Sequence, residues 1–440
     1  MSKYTKHDII ELVEEEDVEF IRLQFTDIYG TLKNMAVTTS QLEKVLNNQC
    51  KFDGAAIEGF TSNDKSDLYL HPVLDTFEIF PWRPQQGKVA RFLCDVYHKD
   101  GTPFEGDSRY ILKETINQAA EMGYSFEIGS ECEFYLFQAD DNGIPSTQTE
   151  EKGGFFDIGP IDLGENVRRE IVLTLEDMGF EVEASYHEAG ASQHQIDFQY
   201  DEALNAADNI MTFRMVVRII AKRHGLHATF MPKPVNGSMG SGMNILLSIL
   251  KDGKNIFSNA EDNKKLCEEA KWFIAGVLKH NAAITAIANP IINSYKRLVP
   301  SYNVPAYNGW SVHNRNASIR VPNDIDADSK IELRSPDSSA NPYLTIALYL
   351  AAGLEGIRNQ EELPEALPND TIKQEEYNHE IKRLPKTLID SIEELEKDEF
   401  IKSVLGNQFA KNFISAKKKE WSDYCSQVTA WEVEQYLYRF

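Results

Sequence analysis

The stretch Gly129-Ser130-Glu131-Cys132-Glu133-Phe134-Tyr135-Leu136-Phe137 constrains this chain more than any other. Cys132, Phe134 and Leu136 alternate with Glu131, Glu133 and Tyr135, the period-two pattern of a strand. Strand side chains two apart share a face, so Glu131 and Glu133 point the same way. Neighbouring carboxylates on a mostly apolar strand repel one another and resist desolvation, and a cation between or beside them relieves both problems. An isolated Glu-x-Glu also fits a solvated face. Further acids, arginines and a glycine-rich loop downstream, each in a strand or loop setting, tilt the reading towards a cleft that holds cations.

The 440 residues leave room for two or three domains with sizeable cores. Lys and Arg number 45 against 69 Asp and Glu, a net charge of −24. Long-range repulsion therefore argues against a partner that is nucleic acid or an anionic membrane. A few clustered arginines can still reverse the field locally and hold a small anion. The cysteines Cys50, Cys94, Cys132, Cys267 and Cys425 are scattered and lack CxxC spacing, which fits a reducing compartment. The N-terminal residues lead into a helix without an apolar signal core, and no run reaches transmembrane length. The expectation is a soluble, cytoplasmic protein.

Thr5 is placed to cap a helix through Glu16, followed by a hairpin from Val18–Phe25 through Asp27-Ile-Tyr-Gly30 to about Val37. A helix over Ser40–Asn48, a loop over Phe52–Phe60, and strands around Phe77–Phe80 and Lys88–Val96 complete a small mixed unit ending near Pro103. Beyond it, helices are expected from Asp107-Ser108 to Met122 and over Glu165–Met178, Ala203–His224, Ala260–His280 and Pro342–Ile357. Residues 359–385 read as surface loops and short helices. Thr429-Ala-Trp-Glu432 is a capping box opening an amphipathic terminal helix, suited to core packing or to a subunit contact.

Two further features carry chemistry. Lys233-Pro-Val-Asn-Gly237-Ser-Met239-Gly240-Ser-Gly242-Met243 follows a strand-like His227–Met231. Its backbone can offer N–H groups to an anion, although a plain glycine turn fits too, and it is neither a P-loop nor a GxGxxG turn. Arg297, Arg315, Arg320 and Arg334 fall within some forty residues, and Glu332 shares a strand face with Arg334. Clustered guanidinium groups in an acidic chain point to recognition of an anion.

Taken in order, these pieces resemble class I glutamine synthetase over essentially the whole length. The matching segments include Phe52-Asp-Gly54, Ile57-Glu-Gly-Phe60, Gly129-x-Glu131-x-Glu133-Phe134, Asp162-Leu-Gly-Glu-Asn166, His187-Glu188 and Gln193-His194. Further on come Lys233-Pro234, Gly240-Ser-Gly-Met243, Asn293–Pro300, Asn314-Arg315, Glu332-x-Arg334-Ser335 and Ala340-Asn-Pro-Tyr-Leu344. The lack of a long insertion around Pro364–Arg383 is similar to the shorter, non-adenylylated variant of the class.

The resemblance implies an α+β fold. A small β-grasp-like N-terminal domain would cover residues 1–103, and a large catalytic domain on an antiparallel sheet with helices would cover 104–440. It implies a homo-oligomer, a dodecamer of two hexameric rings with each site shared between neighbours. The implied reaction uses ATP and Mg²⁺ or Mn²⁺: glutamate is phosphorylated on its γ-carboxyl, then ammonia displaces phosphate. Glu133 and Glu188 would bind one metal, Glu131 and Glu332 the other. Arg297, Arg334 and Gly240 would bind glutamate. Arg315, Arg320, Lys330 and Ser248 would lie at the nucleotide phosphates, and Asp53 of an adjacent subunit would help bind ammonium. Asp53, Glu188 and Arg315 are thus the catalytic candidates.

Departures from the family pattern gather in the site. Gln195 stands where the family has a metal-binding Glu, Asn244 where it has a metal-binding His, and Asn303 where its flap carries a Glu. Phe155 replaces a Tyr at the ammonium site, Met239 an Asn, Asn316 a Ser, and Lys330 an Arg. Ala55 and Ala56 replace serines, and Ser62 replaces an arginine tied to feedback. Amide oxygens still suit a hard cation but bring no charge, whereas Asn303 cannot accept a proton. One expectation is therefore a synthetase-family ligase that is weakened or turned to another amine or acid, with weakened metal binding. The alternative is a non-catalytic homologue that senses glutamate, glutamine or nucleotide, or that joins an active synthetase in mixed oligomers.

Overall fold

Apolar residues alternating along the first hundred positions build a six-stranded sheet. In the computed structural model its strands are β1 (Val18–Thr26), β2 (Leu32–Thr38), β3 (Cys50–Asp53), β4 (Asp67–Pro72), β5 (Glu78–Ile79) and β6 (Lys88–Tyr97). Their order is β2-β1-β6-β4-β3, with β5 against β6; only β1 and β6 run parallel. The structure describes residues 3–61, 66–83, 86–140, 142–257, 266–301, 303–323, 329–374 and 381–440. Ser62 and residues 260–265 of the expected helix lie outside these.

The helix α1 (Lys6–Glu15) starts at Thr5, which exchanges hydrogen bonds with Asp8 in a capping box. A short α2 (Leu42–Leu46) follows β2. Two expectations need correction here. The segment read as a loop from Phe52 begins inside β3, and β4 was not anticipated although Leu68 and Leu70 alternate inward. Around Phe77–Phe80 only Glu78 and Ile79 pair, since Leu74–Thr76 forms a turn of 3₁₀-helix.

The second sheet has ten strands. They are β7 (Tyr124–Gln138), β8 (Val182–His187), β9 (Gln193–Phe198), β10 (Asp201–Glu202), β11 (Leu226–Thr229), β12 (Met243–Lys251), β13 (Lys254–Asn255), β14 (Tyr307–Ser311), β15 (Ala317–Arg320) and β16 (Ile331–Leu333). The order is β14-β15-β16-β12-β7-β9-β8, antiparallel except for the β14–β15 pair. Phe126, Ile128, Cys132, Phe134 and Leu136 of β7 are all buried.

The helices of this part are α3 (Ser108–Glu121), α4 (Glu165–Asp177), α5 (Ala203–Arg223), α6 (Glu268–Ala288), α7 (Ser294–Arg297), α8 (Pro342–Asn359), α9 (Thr371–Gln374), α10 (Leu388–Lys397), α11 (Glu399–Leu405), α12 (Asn407–Cys425) and α13 (Ala430–Tyr436). Asn341 caps α8 by accepting from the Tyr343 and Leu344 amides, with Pro342 at the first position. The helix expected to end at His280 continues to Ala288. It is buried around most of its circumference there, which removes the apolar–polar periodicity that marks a helix in sequence. Among the described residues no helix is long and apolar enough to cross a membrane.

Helices α6 and α8 cross at backbone contact. A methyl group on Gly356 would meet the Trp272 carbonyl oxygen at 2.1 Å, and one on Gly276 would meet the Ala352 carbonyl oxygen at 2.2 Å. Neither obstacle is a flexible side chain that can swing away. Gly356→Ala should therefore destabilise the protein by about 1–3 kcal/mol, as overpacked cores do. Gly154→Ala, whose methyl group would come no closer than 3.7 Å to a neighbour, should leave the denaturation midpoint unmoved. Equal midpoints for both variants would refute the close crossing.

Buried charges join the N-terminal sheet to three helices of the second part. Arg109 of α3 donates to Asp208 of α5 through Nε and Nη2, each at 2.9 Å, and to Asp95 of β6 through Nη1 at 2.5 Å. The Tyr343 hydroxyl of α8 donates to the same Asp208 carboxylate at 2.7 Å.

Candidate active site

The register of the large sheet assembles the site. Across β7, Glu131 faces Asn244 of β12 on one side and Asp197 of β9 on the other. Glu133 faces Gln195, which in turn faces Tyr186 of β8. Glu332 of β16 faces Arg320 of β15. Directly paired residues share a face, so acids from three strands collect on one side of the sheet. Those of β7 and β16 line a cleft of about 1140 Å³.

All four acids named from the sequence, Glu131, Glu133, Glu188 and Glu332, line this cleft. So do Arg297, Arg315, Arg320 and Arg334, together with Gly240. The substituted positions Phe155, Gln195, Met239, Asn244 and Asn303 line it too. Three named residues lie apart from it. Asp53 is exposed at the end of β3 and accepts the Ala55 amide at 3.0 Å, so within one chain it does not reach the cleft. Ser248 is buried on β12 opposite Glu127. The Lys330 ammonium sits 3.2 Å from the centre of the Tyr200 ring.

Burial raises the carboxyls of Glu131 and Glu188 above the ordinary range. It pushes Glu133 up to about 8, with the charge of Glu188 adding to the effect. Burial likewise lifts Asp197 to about 7. Acids crowded in this way are short of positive charge.

The donors present are carboxylates and amides, the hard oxygen set that suits Mg²⁺ or Mn²⁺. Asn244 turns its NH₂ to Glu131 at 2.9 Å. Gln195 turns its own to Asp197 at 2.7 Å and to the Tyr186 hydroxyl at 2.5 Å. Neutral donors thus lie against these acids, and rotating either amide would present its oxygen instead.

The arginines are partly engaged already. Arg320 and Arg334 both donate to the Glu332 carboxylate. Arg297 holds the Ser335 carbonyl at 2.9 Å and the Arg334 carbonyl at 3.0 Å, bracing the backbone beside the cleft. Arg315 makes no ion pair among the described residues. The glycine-rich loop does offer a backbone amide to an acid group, but that group is Glu133, which accepts the Gly242 amide at 2.9 Å.

Asn303 adopts a left-handed backbone with φ of +64°, a conformation asparagine tolerates better than most residues. Its loop is tied down by Asn316, whose NH₂ donates to the carbonyls of Ser301 at 2.6 Å and Val304 at 2.9 Å. Phe155 and Phe156 form an exposed aromatic pair, with ring centres 4.1 Å apart, against Tyr186.

Glu151 was missed in the sequence. It bonds His187 Nε2 at 2.6 Å while His187 Nδ1 bonds the Glu188 carbonyl at 2.6 Å, fixing the backbone that carries Glu188. Burial works to raise the Glu151 carboxyl, yet the bond to His187 and nearby positive charge hold it down to about 2. The motif His187-Glu188 offered the only hint of this arrangement. Asp162, His187 and His194 also lie close enough to suggest a metal cluster. Both ring nitrogens of His187 are engaged, however, and Arg168 bonds Asp162 at 2.7 Å and His194 Nδ1 at 2.9 Å. That guanidinium already occupies the place of a cation.

Comparison with known proteins bears directly on this geometry. Residues 17–99 match the glutamine synthetase β-grasp domain, and residues 105–436 match the glutamine synthetase catalytic domain. The chain is 52% identical over 443 aligned residues to a glutamine synthetase of Clostridium saccharobutylicum, covering 100% of both. It is 49% identical over 441 residues to one of Staphylococcus epidermidis, covering 99% of each. Among solved structures, one described as "GmaS/ADP complex-Conformation 1" superposes with a TM-score of 0.89 at 31% identity, covering 98% of this chain and 99% of the other. A second, "Apo GmaS without ligand", gives 0.88 at 32% identity with the same coverage. The chain belongs to the glutamine synthetase family, of the class I type, whose members generally act on glutamate, ATP and ammonia, use a divalent metal and assemble as oligomers.

Proposed function

We propose that this chain keeps the ATP-dependent ligase framework of its family but forms glutamine slowly. One observation carries the reading: Gln195, Asn244 and Asn303, all neutral, stand in the cleft where the family pattern has two Glu and a His. Glu133 and Glu188 would hold one Mg²⁺ or Mn²⁺, and Glu131 and Glu332 a second, more weakly than three-ligand sites. Metal bound there supplies the positive charge that spreads over a transferring phosphoryl group. Arg315, Arg320, Lys330 and Ser248 are assigned to the nucleotide phosphates, and Arg334, Arg297 and Gly240 to glutamate. Arg320 and Arg334 must loosen from Glu332 to do so.

Asp53, from a neighbouring subunit of a dodecamer of two hexameric rings, would help bind ammonium. A β-grasp domain over 1–103, a catalytic domain over 104–440 and a cytoplasmic setting complete the proposal. The amine subsite is where the reading is most specific. Asn303 cannot remove a proton, and Phe155 presents an exposed ring in place of a hydroxyl.

The test is phosphate release from ATP with Mg²⁺ and glutamate, with and without ammonium. Glutamate-dependent release that outpaces glutamine formation is expected. Glutamine formation at the pace of an ordinary synthetase sinks the proposal. Binding of glutamate or nucleotide without turnover would instead favour a sensor, or a partner subunit in mixed rings. The Phe155–Phe156–Tyr186 wall favours a second reading, an acceptor amine with an apolar group. Short alkylamines in place of ammonium check it: acceleration over ammonium supports that reading, and equal or lower rates remove it.

A further inference from the structure

A second cavity, of about 560 Å³, lies between the N-terminal sheet and α5, apart from the cleft. Arg22 and Gln24 of β1 form one wall, and Arg214 and Arg218 of α5 form another. In a chain with 69 acidic residues, none of the described residues lining this cavity is acidic. Lys33 at its rim is already paired with Asp27 at 3.2 Å. Arg22 and Arg218 make no ion pair among the described residues, and the charged neighbour of each is another arginine.

Two buried side chains point to a built site rather than a solvated groove. Gln24 is 2% exposed and Arg214 is 5% exposed. The Gln24 carbonyl oxygen and Arg214 Nε nevertheless have no hydrogen-bond partner among the described residues. Leaving such groups unmatched is expensive, so buried orphans call for an explanation. Phe230 lies beneath both guanidinium groups of α5, 6.0 Å from Arg214 and 5.1 Å from Arg218, and orients them. The Nη atoms of Arg214 hold the Ala340 carbonyl at 2.8 Å and Met243 Sδ at 3.3 Å, which leaves its Nε unmatched. Two guanidinium groups without ion pairs among the described residues, that Nε and one unmatched acceptor are complementary to an oxyanion that also carries a hydrogen-bond donor.

We propose that this cavity binds a small phosphorylated or carboxylated metabolite bearing a hydroxyl group. The oxyanion lies against Arg22, Arg218 and Arg214 Nε, and the hydroxyl group donates to Gln24. The cavity connects to the active cleft through Ser338, which lines it and whose hydroxyl donates towards the carbonyls of Glu133 at 2.8 Å and Gly242 at 2.7 Å. Occupancy therefore bears on the strand and loop that position Glu133. None of this depends on the amine or the rate assigned to the cleft.

The test is calorimetric titration of the assembled full-length protein with glycerol 3-phosphate, malate and inorganic phosphate. The first two separate phosphate from carboxylate recognition, and the third lacks the carbon-borne hydroxyl. Saturable binding of glycerol 3-phosphate or malate, tighter than that of inorganic phosphate, is the expected result. Arg218→Gln and Arg22→Gln should each weaken it roughly 10- to 100-fold, the worth of a charge-assisted contact. Both side chains reach solvent, so both variants should fold, which circular dichroism checks. Arg315→Gln, in the cleft, should leave this binding unchanged. Three outcomes overturn the proposal: no saturable binding of any probe, affinity indifferent to both cavity variants, or binding abolished by Arg315→Gln.

Discussion

Replacing Gln195 by Glu, Asn244 by His and Asn303 by Glu together should raise glutamine formation at least 10²-fold. A general base alone contributes roughly 10²–10⁴-fold, and the other two changes add metal ligands. The single change at 303 should be the least productive in isolation. Its backbone is left-handed, which glutamate adopts less readily than asparagine, and Asn316 holds the loop on both sides. The rise should therefore be more than the product of the separate effects, since base and metal serve one reaction. Initial-rate assays of the singles and the triple decide the matter. A triple variant no faster than the parent would show that these positions do not limit the reaction.

Asp208→Ala should destabilise the fold by about 3–5 kcal/mol, the usual consequence of removing one partner from a buried ion pair. The loss strands Arg109, which is 5% exposed and among the described residues keeps only Asp95 as an acidic hydrogen-bond partner. It also removes the acceptor of the Tyr343 hydroxyl. Asp208→Asn keeps an oxygen for Arg109 and should lose less. Denaturant unfolding at fixed protomer concentration measures both, because assembly contributes to apparent stability. A loss under 1 kcal/mol for the alanine variant would mean that this network does not hold the N-terminal sheet to the helices beside it.

Legibility followed periodicity. Helices α3, α4, α5 and α8 were readable within one or two residues because polar and apolar faces alternate or because caps mark their ends. The strand β12 went unread although it forms the floor beside Glu131. Its run Met243–Lys251 is buried on both faces, so it carries no alternation, and the glycines before it drew the reading to a loop. By contrast β16, whose three residues are all buried, was legible through Glu332 and Arg334 two residues apart.

For the site, family resemblance named the acids and arginines that line the cleft, though Asp53, Ser248 and Lys330 lie apart from it. The partners of the lining residues were not legible. Nothing in the sequence indicates that Glu332 is gripped by two arginines, or that Gly242 offers its amide to Glu133. Those contacts join residues about 110 positions apart in one case and depend on strand register in the other. Glu151 stayed hidden for a similar reason. Its partner lies 36 residues away, in a segment where acids are frequent.

The pairing pattern also sets an order of events during synthesis. Every strand of the N-terminal sheet is present once residue 97 has left the ribosome, so that sheet can close early on its own. Strand β7 is made next, yet its neighbour β12 begins at residue 243 and the flanking β16 at 331. The apolar centre of the catalytic half therefore waits, unpaired along one edge, while more than a hundred further residues are added. A nascent chain in that interval is exposed to mispairing and aggregation, and slowing translation after β7 lengthens the exposure.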